Sequence, residues 1–236
     1  MGTTNIKISK MNEIGNDDVV EAYISGSEDY VIPLVFPNYL IRLEGGSGTS
    51  GRDYFGTDRV PLLGHAGVLI INGQNGKTKY YEYGRYPPGE LGRTRSVQTK
   101  DVIISSSKMI NIDSFKKTLR QISNNSGQKG NIKGAILRKE NVFNEAIKYC
   151  EIKIKENNNP DREPYSIYTN NCVTFVEKLV SYLDFPTPST MPYSLLNLGT
   201  HIYDKIPTAY IIQFQAFFPA RDLFYYYKLD KLEVNY

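Results

Sequence analysis

The stretch that most constrains this chain is Gly64-His65-Ala66-Gly67-Val68-Leu69-Ile70-Ile71, followed after a short gap by Tyr80-Tyr81-Glu82-Tyr83-Gly84-Arg85-Tyr86. Between the two runs stand Asn72-Gly73 and Asn75-Gly76. Both pairs are strong turn signals, because Asn and Gly tolerate the positive φ of a tight primed turn. The pattern predicts a β-hairpin turning within 72–77. A loop with an even number of residues there pairs positions of opposite parity, which places His65 and Glu82 on one face of the ribbon. As a diagonal pair their Cβ atoms lie about 7 Å apart, within reach for an imidazole and a carboxylate; an odd loop or a bulge would separate them. The chain has 2 histidines and 2 cysteines, so the choice of a chemical partner for His65 is narrow.

At 236 residues, 40% hydrophobic and 22% charged, the chain can bury a substantial core and reads as one large domain. No apolar run approaches the ~18 residues of a membrane helix, and the first residues lack the apolar centre of a secretory signal, so stable membrane insertion is not expected and export would have to be signal-independent. A net charge of +3 with scattered lysines does not point to nucleic acid. Without a Cys-x-x-Cys or a Cys/His cluster the chain reads as metal-free and cofactor-free. The spacing alone leaves open whether Cys150 and Cys172 pair.

Residues 1–29 carry six acids, Glu13, Asp17, Asp18, Glu21, Glu28 and Asp29, against two lysines. They read as a flexible acidic arm before a single domain spanning 30–236. Tyr30 to Pro37 is apolar and β-branched but broken by prolines, which predicts an edge strand or extended segment feeding a second strand at Tyr39–Leu43. The glycine-rich segment of 44–58 reads as a loop or flap before the His65 strand. Val97 to Ile104 is predicted as a strand. A helix is expected to open at Ile112 with Asp113 or Ser114 as its cap, and a second over Asn141–Lys155, with Phe143, Ile147, Cys150 and Ile154 on one face. Cys150 falls in mid-helix on that stripe and reads as core. A short strand is expected at Tyr165–Tyr168, a short helix at Tyr193–Leu198, and a closing helix and strand after Ile206. His201 reads as structural.

The run from Thr169 to Leu183 holds Cys172, Phe175, Val176, Leu179, Val180 and Leu183 at the spacing of a helix face turned to the core. Asn170 and Asn171 before it are good N-caps, so Cys172 is predicted in the first turn. A thiol there feels the partial positive charge of unpaired backbone amides, which favours thiolate. The same amides can stabilise an oxyanion formed on an acyl group. Taken singly, Cys172 reads equally as a small buried hydrophobe; beside His65 and Glu82 it reads as a nucleophile with its base and the group that orients it.

The order of these features, Gly-His-Ala-Gly on a strand, Tyr-Tyr-Glu-Tyr-Gly-Arg-Tyr on its partner and Asn-Asn-Cys at a helix start, resembles the circularly permuted branch of the papain-like superfamily, related to the NlpC-type cell-wall peptidases. With Val35-Phe36-Pro37-Asn38-Tyr39 added, it resembles bacterial type VI secretion effectors. The resemblance covers roughly residues 30–185. It implies an α+β, permuted papain-like fold, an antiparallel sheet of five or six strands packed against the cysteine helix and two others. It further implies Cys172 as nucleophile, His65 as general base and then acid, and Glu82 as the orienting residue. Asn171, Arg85 and Tyr83 are the expected oxyanion and substrate contacts, with Tyr81 and Tyr86 beside them. The implied substrate is peptidoglycan stem peptide, the implied partners an immunity protein and a secretion-spike carrier, and the implied destination the periplasm of a target cell. Two other readings use the same residues differently: a permuted lipid acyl hydrolase or protein-directed protease or deamidase, and a non-catalytic module that holds a glycan or protein in a tyrosine-lined groove.

Overall fold

Strand β1, Glu28–Phe36, is buried along almost its whole length and forms the middle of the fold. The computed structural model describes residues 28–42, 59–60, 64–86, 91–106, 108–166, 169–187, 207–217, 223–227 and 232–235. Most of the acidic arm, the glycine-rich segment of 44–58, Tyr193–Leu198 and His201 lie outside the described residues. Glu28 and Asp29, read from the sequence as the end of the arm, begin β1.

On one side β1 pairs with β4, His65–Ile71, which continues through β5, Thr78–Gly84, to the edge strand β6, Arg93–Val97. On the other side it meets β7, Ile132–Ala135, and β8, Leu137–Glu140; β7 leads on to β9, Leu223–Tyr226, and β10, Leu232–Asn235. Every pairing in the sheet is antiparallel. A separate ribbon joins β2, Ile41–Arg42, to β3, Arg59–Val60. The helices are α1, Ile112–Ser126; α2, Phe143–Lys155; α3, Cys172–Tyr182; and α4, Pro207–Phe217.

The edge-strand expectation for Tyr30–Phe36 is corrected, because β1 is flanked on both sides. Pro33, which has no N–H to donate, is accommodated by a break in the neighbouring ladder: β8 pairs with residues 28–31, β7 with Leu34 and Val35, and among the described residues nothing pairs with Ile32 and Pro33 on that side. The strand expected over Val97–Ile104 lies earlier, at Arg93–Val97, and Ile104 makes only an isolated bridge to Ile110. At Tyr165–Tyr168 only an isolated bridge, Ser166 to Asn170, is present among the described residues. The cap of α1 is Asn111, whose side chain accepts from the Ser114 amide at 3.0 Å.

Strand alternation sends side chains to two cores. Val31, Val35, Ala66, Val68, Ile70, Tyr81 and Tyr83 face α2, α3 and α4. Tyr30, Ile32, Leu34, Phe36, Leu69, Ile71 and Tyr80 face α1. Helices therefore cover both faces of the sheet, which is why β1 and β4 read as unbroken apolar runs. The Cys172 helix buries Phe175, Val176, Leu179 and Val180 as its spacing predicts, and Cys150 is buried in mid-α2. Both cysteines are free thiols. Among the described residues no helix is long and apolar enough to cross a membrane.

Asp29 ties the hairpin to α2. One carboxylate oxygen accepts from the Gly73 amide at 3.0 Å and the other from the Phe143 amide at 2.9 Å, so a side chain from β1 caps a helix whose own N-cap, Val142, has none to offer. Asp29→Ala leaves two buried amides unpaired and is expected to cost about 2–4 kcal/mol, read as a lower urea midpoint with an unchanged slope.

Candidate active site

The hairpin turn occupies residues 72–77, six residues and so an even number. The Asn72 carboxamide oxygen accepts from the amides of Gln74 and Asn75, and Gly76 supplies the positive φ of 75°. The resulting register sets Gly67 opposite Glu82, which leaves Glu82 diagonal to His65 on the same face. The two side chains share a face, as the even turn predicts, and they meet: His65 Nε2 lies 3.1 Å from Glu82 Oε2.

Glu82 is 0% exposed and His65 5%. A buried carboxylate must be compensated, and Glu82 is compensated on both oxygens. Tyr80 donates its hydroxyl to Oε2 at 2.8 Å, and Arg95 places Nε 2.6 Å and Nη2 2.5 Å from Oε1. Burial would push the Glu82 carboxyl up, but the charges of His65 and Arg95 outweigh it and hold it down at about 2. An ionised carboxylate only accepts hydrogen bonds, so the proton between the two groups sits on Nε2. The Tyr86 hydroxyl lies 2.9 Å from that nitrogen. Burial, reinforced by Glu82, keeps the Tyr80 and Tyr86 phenols protonated well above the usual tyrosine range.

The imidazole is enclosed by rings, stacked on Phe36 at 6.0 Å, tilted against Tyr39 at 5.0 Å and edge-on to Tyr86 at 6.2 Å. The Cys172 side chain is a further neighbour of the ring and acts on its proton affinity. With Nε2 held by Glu82 and Tyr86, Nδ1 is the nitrogen left for the sulfur. Burial opposes the imidazolium, yet the Glu82 charge and the neighbouring Cys172 side chain raise His65 from 6.5 to about 10.

Cys172 is the first residue of α3, behind the N-cap Asn171. The Asn171 carboxamide oxygen accepts from the amides of Val173 at 2.8 Å and Thr174 at 3.1 Å, while Thr174 Oγ1 accepts from the Asn171 amide, a complete capping box. Two of the three first-turn amides are thus taken by the cap, which leaves the Cys172 amide as the helix's own donor at the sulfur. Cys172 belongs to the core facing α2, whereas His65 and Glu82 share parity with residues of the opposite core. They meet because His65 is the first residue of β4.

The structure brings Cys172, His65 and Glu82 together and separates them from Tyr81. That residue has the opposite parity, and its hydroxyl donates to Glu151 on α2 at 2.8 Å. Tyr83, on the same face as Tyr81, stacks between Tyr165 and Phe175 and accepts from Asn170 at 3.0 Å. With Asn170 and Phe175 it lines a cavity of about 100 Å³. Arg85 is exposed. The residues that sequence reasoning missed are Tyr80 and Arg95. Tyr80 shares parity with Glu82 and was legible on that ground. Arg95 required the register of β6 against β5, which pairs it directly with Glu82 across a connection whose length the sequence does not reveal. Among the described residues no cluster of three or more His, Cys, Asp or Glu could hold a metal.

Two outcomes test this network. A Cβ at Gly67 would overlap the Tyr80 hydroxyl, so Gly67→Ala is expected to displace Tyr80 from Glu82 and cost about 1–3 kcal/mol in urea unfolding. Glu82→Gln removes the shared partner of two cations and is expected to cost about 3 kcal/mol. Glu82 is depressed from 4.5 to about 2, so its share is present above pH 4.5 and lost as pH falls through about 2. His65 is raised from 6.5 to about 10, so its share is present below pH 6.5 and lost as pH rises through about 10. The stability difference between wild type and Glu82→Gln should therefore be largest between pH 4.5 and 6.5.

A family model described as type VI secretion system effector TseH-like matches residues 31–184. Among solved structures the chain is similar to TseH, a type VI secretion system effector known from a crystal structure. The two are 36% identical with a TM-score of 0.69, and the match covers 90% of this chain and 100% of that one. No curated protein matches the chain.

Proposed function

The chain belongs to the TseH-like family of type VI secretion system effectors, and from that premise we propose that it is a cysteine hydrolase cleaving amide bonds in the stem peptides of peptidoglycan, on a permuted papain-like fold. The observation that carries the reading is Cys172, first residue of a helix, beside an imidazole that is itself fixed by a buried carboxylate. In this reading the three serve as nucleophile, base and orienting group for acyl transfer.

In the proposed reaction the Cys172 sulfur attacks the amide carbonyl as its proton resides on His65 Nδ1. The carbonyl oxygen, now negative, is met by the Cys172 amide, with Asn171 at the same helix start supporting it. Collapse of the tetrahedral intermediate breaks the C–N bond, and Nδ1 delivers the proton to the departing amine. Water then attacks the thioester, giving its proton back to His65 and releasing the acid. Throughout, Glu82 holds the Nε2 proton, so the tautomer that presents Nδ1 to sulfur is retained. Arg85 and Tyr83 are the proposed contacts to the carboxylates and backbone of the peptide. Delivery to the periplasm and neutralisation by an immunity protein in the producing cell follow from this substrate, which lies outside the cytoplasmic membrane.

Digestion of purified cell wall, with fragments resolved by mass, tests the proposal. New muropeptide fragments are expected with wild type and none with Cys172→Ala, and His65→Ala is expected to slow the reaction by roughly 10³-fold or more. An unchanged profile from folded wild-type protein would transfer the same chemistry to a lipid or protein acyl group. Full activity in Cys172→Ala would end the assignment of the nucleophile.

A further inference from the structure

Two groups share His65 Nε2, the Glu82 carboxylate and the Tyr86 hydroxyl, and both are held by one side chain. Arg95 places two guanidinium nitrogens on Glu82 Oε1, and its Cζ lies 3.8 Å from the centroid of the Tyr86 ring. The residue comes from the edge strand β6, sits directly opposite Glu82 in the register and is 39% exposed in its side chain. It is the arginine's planar fork that allows both contacts, since an ammonium offers neither the paired donors nor the flat face. With Oε1 pinned by Arg95 and Oε2 receiving Tyr80, the carboxylate has one orientation, and in it Oε2 points at the imidazole.

We infer that Arg95 is a positioning residue for His65: by fixing Glu82 and Tyr86 together it sets both partners of Nε2, and through them aims Nδ1 at Cys172. The inference rests on the reading of His65 and Cys172 as base and nucleophile, but it can be tested without any substrate.

The groups facing the imidazole are Glu82 and Tyr80 from β5, Tyr86 just beyond β5, Tyr39 beyond β1, Cys172 from α3 and, behind Glu82, Arg95 from β6. Arg95 can act on His65 in two ways that differ in sign. As a bare positive charge it disfavours the imidazolium, and its removal would raise the pH at which His65 titrates. As a positioning group it keeps Glu82 on Nε2, and its removal would let the carboxylate turn away and lower that pH.

The experiment follows the His65 imidazole nitrogens by NMR across pH in the full chain, with the His201 signals identified by His201→Asn. Wild type is compared with Arg95→Met and Arg95→Lys. In parallel, iodoacetamide labelling of Cys172 is located by mass; Cys150, buried in mid-helix with its thiol pushed up by burial, serves as the unreactive reference. Arg95→Met is expected to lower the His65 midpoint by about one pH unit, a tenfold loss of proton affinity, and to slow Cys172 labelling at neutral pH by a similar factor. Arg95→Lys keeps the charge and loses the fork, so it is expected to fall in the same direction; it decides the matter if Arg95→Met does not fold. Adding either change to the Glu82→Gln, Tyr86→Phe double variant should move His65 no further. A midpoint that rises, or stays at the wild-type value in both variants, overturns the inference. Loss of cell-wall hydrolysis in wild type, with the His65 shifts as described, would sink the substrate assignment and leave the role of Arg95 standing.

Discussion

The charge on Glu82 is the constraint around which the site is built. A carboxylate with no solvent contact forfeits several kcal/mol of hydration, and it remains ionised only where donors replace the water it lost. Here the donors come from three strands, Nε2 of His65 on β4, the hydroxyl of Tyr80 on β5 itself and the guanidinium of Arg95 on β6. A slip of one residue in either pairing would turn Glu82 or its partners to the opposite face. The six-residue turn, the glycine at position 67 that leaves room for Tyr80, and the pairing of Glu82 with Arg95 are consequently parts of one solution. Protonation, the usual escape for a buried acid, is closed because His65 and Arg95 keep the carboxyl at about 2 against the pull of burial.

That solution also explains how side chains assigned to opposite layers come to lie together. Helix α3 packs by Phe175, Val176, Leu179 and Val180 on one face of the sheet, while Glu82 alternates to the other. A histidine in the middle of β4 would face away from the thiol. At the first position of the strand it stands at the end of the sheet, where the helix start also lies, and the ring meets Cys172 there. The capping box makes the helix begin at that point: Asn171 occupies two first-turn amides and Thr174 returns a bond to the Asn171 backbone.

Local signals of fixed period made part of this legible in the sequence. Turn chemistry at Asn72 to Gly76 fixed the hairpin parity and with it the His65–Glu82 pair, and the spacing from Cys172 to Leu183 fixed the buried face of α3. What failed was whatever depended on a neighbour distant in the chain. Pro33 argued for an edge, and only the interruption between β7 and β8, about a hundred residues on, shows why a central strand tolerates it. The cap of α2 is Asp29, donated by β1 across 114 positions. Arg95 could not be assigned to Glu82 without knowing how the chain returns after Tyr86. Tyr81 was grouped with the site by proximity in sequence, although the alternation that paired His65 with Glu82 already assigned it to the other face.

The raised proton affinity of His65 carries a mechanistic consequence under the proposed acyl transfer. An imidazole whose proton affinity is raised by its neighbours holds its proton readily, which suits the attack step but not the hydrolytic step, in which the same ring must accept a proton from water and is most effective with an affinity closer to the working pH. Part of that affinity comes from the neighbouring Cys172 side chain. That contribution ends when the sulfur is acylated, because a thioester is neutral and has no proton to share. The Glu82 contribution persists through both steps, because Arg95 on the far oxygen keeps the carboxylate turned towards Nε2. In the proposed reaction His65 is therefore a stronger base while the thiol is present and a weaker one once a thioester has formed, so that Cys172 itself would supply the adjustment between the two halves.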